Sequence, residues 1–495
     1  MYRAYTGTQV RAAEKVWLDS GWGASLMRRA AWGLAQHTLV FLHTRGRVYG
    51  SRVLGLVGKG NNGGDTLWAL SFLASRGVAV AAVAINTEAE HLHADGFAAF
   101  KRAGGRVVNR INPDTAVVLD GVFGTGFHGS FDLPGYLADH ELHIPVGAGV
   151  VACDIPSGID ADTGQITGTA LAAHLTVTFG ANKVGLLAGA GGQHSGDIHV
   201  VDIGIQTTLD AVEDPWFVPM AADILSVYQT PVWDVHKYSR GALSVCAGSE
   251  QYPGAAVLVV NAAEATGVGY VSLVADPLND TSVSDKVLTA NPQAVVENQV
   301  TDKATALVIG PGLGDTAGDK DSASSALETA LRRNIPLLID ASGLDMLDES
   351  TLAQDLSATV LTPHVGELSR LIDRLAPDLT ETTPVEQAHS FAQRFGVWMV
   401  LKSADTYVFS PAGRRAVHPA KTSELATAGT GDTLAGILGA GMSTLDPNHQ
   451  DFSDQLFAVL AAGVRLHSRA GELAAADGGV VVSTLADYIR TAKQR

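Results

Sequence analysis

A carboxylate stands where a glycine-rich turn meets a helix in the run Ala428-Gly429-Thr430-Gly431-Asp432-Thr433-Leu434-Ala435-Gly436. Glycines let the backbone turn tightly, and the first free N–H groups of the following helix, with the positive end of its dipole, attract an anion such as a phosphate. Beside such an anion hole Asp432 either caps the helix or acts as a base, taking a proton from a hydroxyl while the turn holds the phosphoryl group under attack. A second constellation lies in the N-terminal half. The run Gly58-Lys59-Gly60-Asn61-Asn62-Gly63-Gly64-Asp65 follows an apolar stretch at 53–57 and opens a helix at Thr66 and Leu67, the order of elements that receives a phosphate or pyrophosphate. It has neither the Lys-Ser/Thr of a Walker loop nor the spacing of a strict GxGxxG. Polar loops at 120–127 and 154–160 also follow apolar runs, and Asn, Asp and Ser oxygens meeting there could coordinate a hard cation.

Such loops need a scaffold that brings them together. Val10, Ala13 and Trp17 recur at helical spacing, and a second helix is expected over 24–41. Strand-like runs at 53–57, 78–85, 116–119, 150–153 and 175–179 then alternate with helical patterns such as 67–75 and 93–102. Continuous apolar strands separated by helices predict a parallel sheet covered on both faces, with the loops converging at its carboxyl edge. The stretch 207–237 contains Pro215, Pro219 and Pro231 and reads as a linker or joining arm. Strand patterns resume at 243–247, 270–275, 306–309, 336–340, 358–361 and 397–401, with helices such as 255–266 and 322–333 between them and others near 454–469 and 484–493. The expected organisation is an α/β domain over 1–210, a joining segment over 211–235 and a second α/β domain over 236–495.

Composition narrows the partners. The 34 basic and 51 acidic residues give a formal charge of -17 with no Lys/Arg-rich tract, which argues against nucleic acid and anionic membranes. Charged residues are only 17% of the chain while glycine is abundant, a profile of α/β enzymes that bury surface by forming homo-oligomers. Cys153 and Cys246 fall in apolar runs, so both are expected buried and unbridged. The N-terminus lacks the apolar core of a signal peptide and no stretch approaches the ~18 apolar residues of a membrane span, so a cytoplasmic location is expected.

Three runs together resemble a known family. Gly-Asn-Asn-Gly-Gly-Asp at 60–65, Asp-x-x-Phe-Gly-Thr-Gly at 120–126 and Asp-Ile-Pro-Ser-Gly-Ile-Asp from Asp154 are similar to the NAD(P)HX epimerase domain, an isomerase of hydrated nicotinamide nucleotides. The resemblance implies a Rossmann-like three-layer fold with a parallel sheet. It implies contacts to substrate from Asn61, Asn62, Gly63, Gly64, Asp65, Gly124, Thr125, Gly126, Phe127, His128, Gly129, Ser130 and Asp154, and potassium on Asn62, Asp120 and Ser157. Asp154 is the candidate for proton handling. Lys183 stands in a stretch shared with the family and reads either as a functional group or as a surface lysine after a strand. Thr66 replaces a glycine usual there, a change the helix start is expected to tolerate.

The second half resembles the ADP-dependent NAD(P)HX dehydratases, a ribokinase-like α/β family of lyases. The carrying runs are His236-Lys237-Tyr238-Ser239-Arg240-Gly241, Tyr252-Pro253-Gly254-Ala255-Ala256, Gly310-Pro311-Gly312-Leu313-Gly314, Thr362-Pro363-His364-Val365-Gly366-Glu367 and Gly429-Thr430-Gly431-Asp432. By resemblance Ala255, Gly312, His364 and Asp432 face the hydrated nucleotide, NADHX or NADPHX, while Lys402, Ser403, Ala404, Asp405, Thr406 and Gly431 hold ADP with magnesium, and Asp432 is catalytic. Two departures, Ser403 for a glycine and Ala341-Ser342-Gly343 for an acidic run after Asp340, bear on nucleotide affinity. A metabolite-repair enzyme with two activities is the expectation. The alternatives are a kinase of a vitamin or sugar alcohol with a nucleotide-binding first half, and a first half kept only for binding or assembly.

Overall fold

The structure, a computed structural model, describes residues 1–229, 233–275, 281–380 and 382–494; Pro231 of the expected joining segment lies outside them. The chain divides into two compact units, Arg3–Trp216 and Phe217–Arg495, the latter including Met1–Tyr2.

The first unit is built on strands β1 (Arg52–Val57), β2 (Ala79–Ala84), β3 (Arg106–Val107), β4 (Thr115–Gly121), β5 (Gly149–Cys153), β6 (Leu175–Phe179) and β7 (Asp197–Val201). They lie in the order β7-β6-β5-β4-β1-β2-β3 and pair in parallel. Strand residues alternate between faces. Val53, Val57, Val117 and Leu119 pack with helices α1 (Gly7–Asp19), α2 (Gly23–Thr44) and α3 (Asn61–Ala74), and Leu54, Leu56 and Val118 pack with Leu133, Leu137 and Leu142 on the other side. This is the three-layer, Rossmann-like plan expected from the apolar runs. Strand order reverses between β1 and β4, and a crevice at such a switch point is where open α/β sheets bind ligands.

One boundary differs in an informative way. The glycine-rich run was expected to lead into a helix at Thr66, whereas α3 already starts at Asn61, with Gly60 as its uncapped N-terminal residue. Asn62, Gly63 and Gly64 are therefore the first turn itself. Thr66 fits because Gly121 opposite has no side chain: a Cβ there would stand 1.9 Å from Thr66 Oγ1.

The second unit contains β8 (Trp216–Val218), β9 (Ala242–Cys246), β10 (Tyr270–Val274), β11 (Val295–Glu297), β12 (Ala306–Ile309), β13 (Leu337–Ile339), β14 (Thr359–Leu361), β15 (Trp398–Lys402), β16 (Thr406–Phe409) and β17 (Arg415–His418). Their order is β8-β17-β16-β15-β14-β13-β12-β9-β10-β11. Pairing is parallel from β11 to β15, and β15, β16 and β17 form an antiparallel meander at one side. Helices α4 (Pro253–Thr266), α5 (Val365–Leu375), α6 (Thr430–Met442) and α7 (Phe452–Ala476) complete the elements used below. Gly436 lets α6 lie directly on α4, since a Cβ there would come within 2.3 Å of Val259 O.

The segment 211–235 is in part folded into elements. Trp216 and Val218 are buried in β8, and a helix over Ala221–Val227 buries Ile224. Pro215 and Pro219 bracket β8, which leaves only three residues in which an alternating pattern could be read. No described helix is long and apolar enough to cross a membrane.

Candidate active sites

In the first unit β1, β4, β5 and β6 deliver their loops to one cavity of about 800 Å³. Asn61, Asn62 and Asp65 line it from α3, Gly124, Thr125, Gly126, Phe127 and His128 from the loop after β4, and Asp154 from the end of β5. Gly63 and Gly64 stand behind this wall, against Gly58 and His93, and Gly129 and Ser130 fall outside the lining. The first intrahelical bond of α3 runs from Gly64 N to Gly60 O at 3.1 Å, so the amides of Asn61, Asn62 and Gly63 precede it and are left for an anion.

Asp120, Ser157 and Asn62 are joined at the edge of that cavity. Ser157 donates from its amide to Asp120 Oδ2 at 2.8 Å and from its hydroxyl to Asp120 Oδ1 at 2.6 Å. The same hydroxyl accepts from Phe123 N at 3.0 Å, and Asn62 Nδ2 donates to Phe123 O at 2.7 Å. One carboxylate among neutral amide, hydroxyl and carbonyl oxygens is a donor set suited to a monovalent hard cation. Among the described residues no cluster of three His, Cys, Asp or Glu side chains offers a transition-metal site.

Asp154 is held in an unusual conformation, φ 66°, which side-chain-bearing residues rarely adopt and which recurs at functional sites. Lys183, fully buried, explains how it is held. Its Nζ donates to Asp154 Oδ1 at 2.7 Å, Thr178 Oγ1 at 2.9 Å and Phe179 O at 2.6 Å. Asp154 Oδ1 also accepts from Thr178 Oγ1 at 3.1 Å and Phe179 N at 3.2 Å, and Oδ2 accepts from Thr125 N at 3.4 Å. Asp65 is a contrast: burial pushes its carboxyl well up, with Asp154 and Glu14 adding to the rise, and its Oδ1 has no hydrogen-bond partner among the described residues.

In the second unit the candidate residues again gather at the carboxyl ends of parallel strands. Asp340, buried, follows β13 and makes an ion pair with Lys402 Nζ from the end of β15. Ala341 beside it has φ 48°, a left-handed conformation that costs an L-residue roughly 1–2 kcal/mol. The backbones of His364 and Lys402 bridge, and Lys402 N donates to Pro363 O at 2.8 Å. His364 is the N-terminal cap of α5: its Nδ1 accepts from Gly366 N at 3.0 Å and Glu367 N at 3.2 Å, and Glu367 Oε2 accepts from His364 N at 2.8 Å. The ring remains half exposed, with Nε2 3.5 Å from Glu367 Oε1.

The Gly-Thr-Gly-Asp turn closes this group. Gly429 adopts φ 93° and begins α6, whose first intrahelical bond joins Thr433 N to Gly429 O at 3.1 Å. The amides of Gly431 and Asp432 precede that bond. Lys402 Nζ lies 3.5 Å from where a Cβ on Gly431 would be. Burial pushes the Asp432 carboxyl up to about 6, with Asp340 adding to the rise and Lys402 opposing it. The Lys402–Thr406 turn is closed by Ser403, whose Oγ donates to Asp405 O at 2.6 Å, while Asp405 Oδ1 accepts from Ala420 N at 2.9 Å; Ser403 and Ala404 are exposed. Ala255 at the start of α4 and Gly312 after β12 adjoin, a Cβ on Gly312 falling 2.5 Å from Ala255 Cβ.

Asp340 carried no assigned role in the sequence, and Arg11 and Glu14 of α1 went unmarked. The available signal for Asp340 was an acidic residue closing an apolar strand, as Asp120 and Asp154 do.

Two units with uncapped helix starts at the carboxyl edge of a parallel sheet, each beside a carboxylate connected to a lysine, define a nucleotide-handling α/β enzyme with two sites. Residues 243–495 match the family described as NAD(P)H-hydrate dehydratase, and residues 23–185 match the one described as YjeF-related protein N-terminus. A bifunctional NAD(P)H-hydrate repair enzyme from Mycobacterium leprae is 37% identical, covering 99% of each chain, and one from Mycobacterium tuberculosis is 40% identical, covering 89% of each. Among solved structures, the ADP/ATP-dependent NAD(P)H-hydrate dehydratase of Bacillus subtilis, co-crystallized with ATP/Mg2+, aligns with a TM-score of 0.46 at 24% identity, over 56% of this chain and 98% of that one. The chain belongs to the family of bifunctional NAD(P)H-hydrate repair enzymes.

Proposed function

We propose that the first unit interconverts the R and S forms of NADHX and NADPHX and that the second dehydrates the S form with ADP, giving NAD(P)H, AMP and phosphate. The observation that carries this reading is the meeting of Asp432, Lys402 and the Gly431 amide at the start of α6. A 6-hydroxy-tetrahydronicotinamide expels hydroxide poorly. Asp432 takes the hydroxyl proton, the oxygen attacks the β-phosphorus of ADP, and AMP leaves. The ring nitrogen lone pair then expels phosphate, and loss of the C5 proton restores the dihydronicotinamide. Lys402 and the amides of Gly431 and Asp432 stabilise the charge on the transferring group. Magnesium bound together with ADP would supply further charge neutralisation. Ala255, Gly312 and His364 border the nicotinamide nucleotide, and Lys402 through Thr406 border the adenine nucleotide.

In the first unit the amides of Asn61, Asn62 and Gly63 receive a phosphate, Asp65 offers its unpaired Oδ1 to a substrate polar group, and Asp154 handles the proton. Asn62, Asp120 and Ser157 would hold potassium, whose positive charge suits a buried Asp120 with neutral hydrogen-bond partners. The glycine-rich, charge-poor composition supports a homo-oligomer. The buried, unbridged Cys153 and Cys246 fit a cytoplasmic location.

The test is to give the purified chain a mixture of R and S NADHX with ADP and magnesium and to follow NADH absorbance. Complete conversion is expected. A halt at the S fraction refutes the epimerase half, and absence of NADH refutes the dehydratase half.

Gly431 gives a finer check. Its φ is not left-handed and an added methyl would meet Lys402 Nζ at an ordinary 3.5 Å, so Gly431→Ala is expected to fold and melt as the parent does. The methyl occupies phosphate space, however, and the KM for ADP should rise about tenfold, a loss of about 1.4 kcal/mol in steady-state titrations.

A further inference from the structure

The first helix presents a polar face that the loops of the sheet edge do not account for. α1 is fixed by a reciprocal cap, Gln9 N donating to Thr6 Oγ1 at 3.0 Å and Thr6 N to Gln9 Oε1 at 2.9 Å. Val10 and Ala13 enter the core. On another face Arg11, Glu14, Lys15, Leu18 and Asp19 recur at helical spacing, and all of them line the cavity that holds Asp65 and Asp154. Arg11 fastens this face to the loop after β4: Nη1 donates to Thr125 O, while Nη2 donates to Thr8 Oγ1 at 3.0 Å and lies 3.3 Å from His128 Nε2. Glu14, one turn further along, is thereby set in the cavity wall.

The carboxyl groups of Glu14 and Asp154 line the same cavity in opposite surroundings. Asp154 accepts hydrogen bonds on both oxygens and pairs with the Lys183 ammonium. Among the described residues Glu14 has no such set of donors. Burial pushes its carboxyl up to about 7, with Lys183 pulling it back, Asp154 adding to the rise and Arg11 opposing it. Two carboxyl groups in environments that differ this way divide acid and base roles. Asp65, Lys15, Asp19, Lys59 and His128 are the other ionisable groups on the cavity wall.

We propose that Glu14 is a catalytic residue of the first unit, the acid that protonates the departing C6 hydroxyl while Asp154 is the base for its return. The inference rests on the epimerase reading. Glu14 gives its proton to the hydroxyl oxygen, the C6–O bond breaks with its electron pair leaving on water, and the N1 lone pair forms an N1=C6 iminium. Water adds to the opposite face of C6, the iminium pair returns to nitrogen, and the surplus proton passes to Asp154. Proton exchange through solvent from Asp154 to Glu14 restores the starting state. The reverse epimerisation runs through the same steps backwards.

Epimer interconversion is followed by chromatography of single-epimer NADHX with the full chain, without ADP, so that dehydration is silent. Glu14→Gln is expected to lower the epimerisation kcat at least about a hundredfold with KM little changed. Wild-type kcat falls as pH rises through about 7, because the acid form is lost, and the residual Gln rate lacks that limb. Glu14→Asp, which keeps an acid, retains a limb at a reduced rate. A Glu14→Gln protein with wild-type kcat, or one that keeps the limb, overturns the proposal. If that protein does not fold, as judged by its melting transition, Glu14→Asp decides: an unchanged rate and limb overturn it, a reduced rate with a displaced limb upholds it. A wild-type chain that interconverts nothing refutes the epimerase reading itself, which is a separate outcome.

Discussion

Replacing Asp432 by Asn lowers ADP-dependent NADH formation about a thousandfold while epimerisation keeps its wild-type rate, because positioned general bases contribute roughly 10²–10⁴ to rate. Asparagine keeps the shape of the side chain, and the N-terminal residue of α6 is Gly429 with no side-chain cap, so α6 is expected to start as before. What it loses is the ability to accept a proton. Burial and Asp340 lift the Asp432 carboxyl from 3.8 to about 6, with Lys402 opposing, so the group is ionised at neutral pH and still basic enough to deprotonate a hydroxyl in flight. The sign of the pH dependence follows: the reaction needs the carboxylate, so kcat falls as pH drops below about 6, roughly tenfold per unit. Lys402→Met removes the charge that opposes the rise and should move this limb to higher pH at saturating ADP. Persisting dehydration in the Asn variant, measured in single turnovers, removes Asp432 from the base role.

The parts of both sites that could be read from the chain are those where local chemistry is sufficient. Gly429-Thr430-Gly431-Asp432 and Gly60-Asn61-Asn62-Gly63-Gly64-Asp65 announce themselves because glycine-rich backbone lets an anion approach helix amides closely, and in both cases the structure has a helix beginning there. Strands such as Gly149–Cys153 and Ala306–Ile309 are continuous apolar runs with no competing reading. Pairings across the fold were hidden. Lys183 reads equally as a surface lysine, since nothing next to it in sequence shows that Asp154, Thr178 and Phe179 O will surround its ammonium. Asp340 and Lys402 are 62 residues apart, and their ion pair arises only when β13 and β15 end at the same edge. Glu14 was legible as part of an amphipathic helix, but the apolar face alone draws attention in such a pattern, and a polar face looks solvated until a cavity is found against it. The meander of β16 and β17 was missed for a related reason: its strands are four residues each, and antiparallel partners at a sheet side are fixed by pairing rather than by periodicity.

Lys183→Met destabilises the first unit by about 3–5 kcal/mol, the usual cost of removing one partner from a buried ion pair. The lysine side chain is 1% exposed and that of Asp154 10%, so the place of the lost ammonium is shielded from bulk water, and Phe179 O also loses a donor. Asp154 already sits at φ 66°, a strained conformation that its contacts must sustain, so the side chain closest to the chemistry is the one set loose. In calorimetry of the full chain, the transition of the first unit should fall by about 10 °C, as expected for a domain of this size, while ADP-dependent dehydration of S-NADHX is unchanged below that transition. The double variant Lys183→Met/Asp154→Asn separates stability from chemistry. Neutralising the stranded carboxylate should recover much of the lost stability, since replacing both partners of a buried pair is far cheaper than replacing one. Epimerisation should be lost in both variants, because Lys183→Met sets Asp154 loose and the double variant replaces it by an amide that cannot accept a proton. A Lys183→Met protein with the parent's melting temperature and epimerase rate would place the ion pair outside both the framework and the chemistry of the first unit.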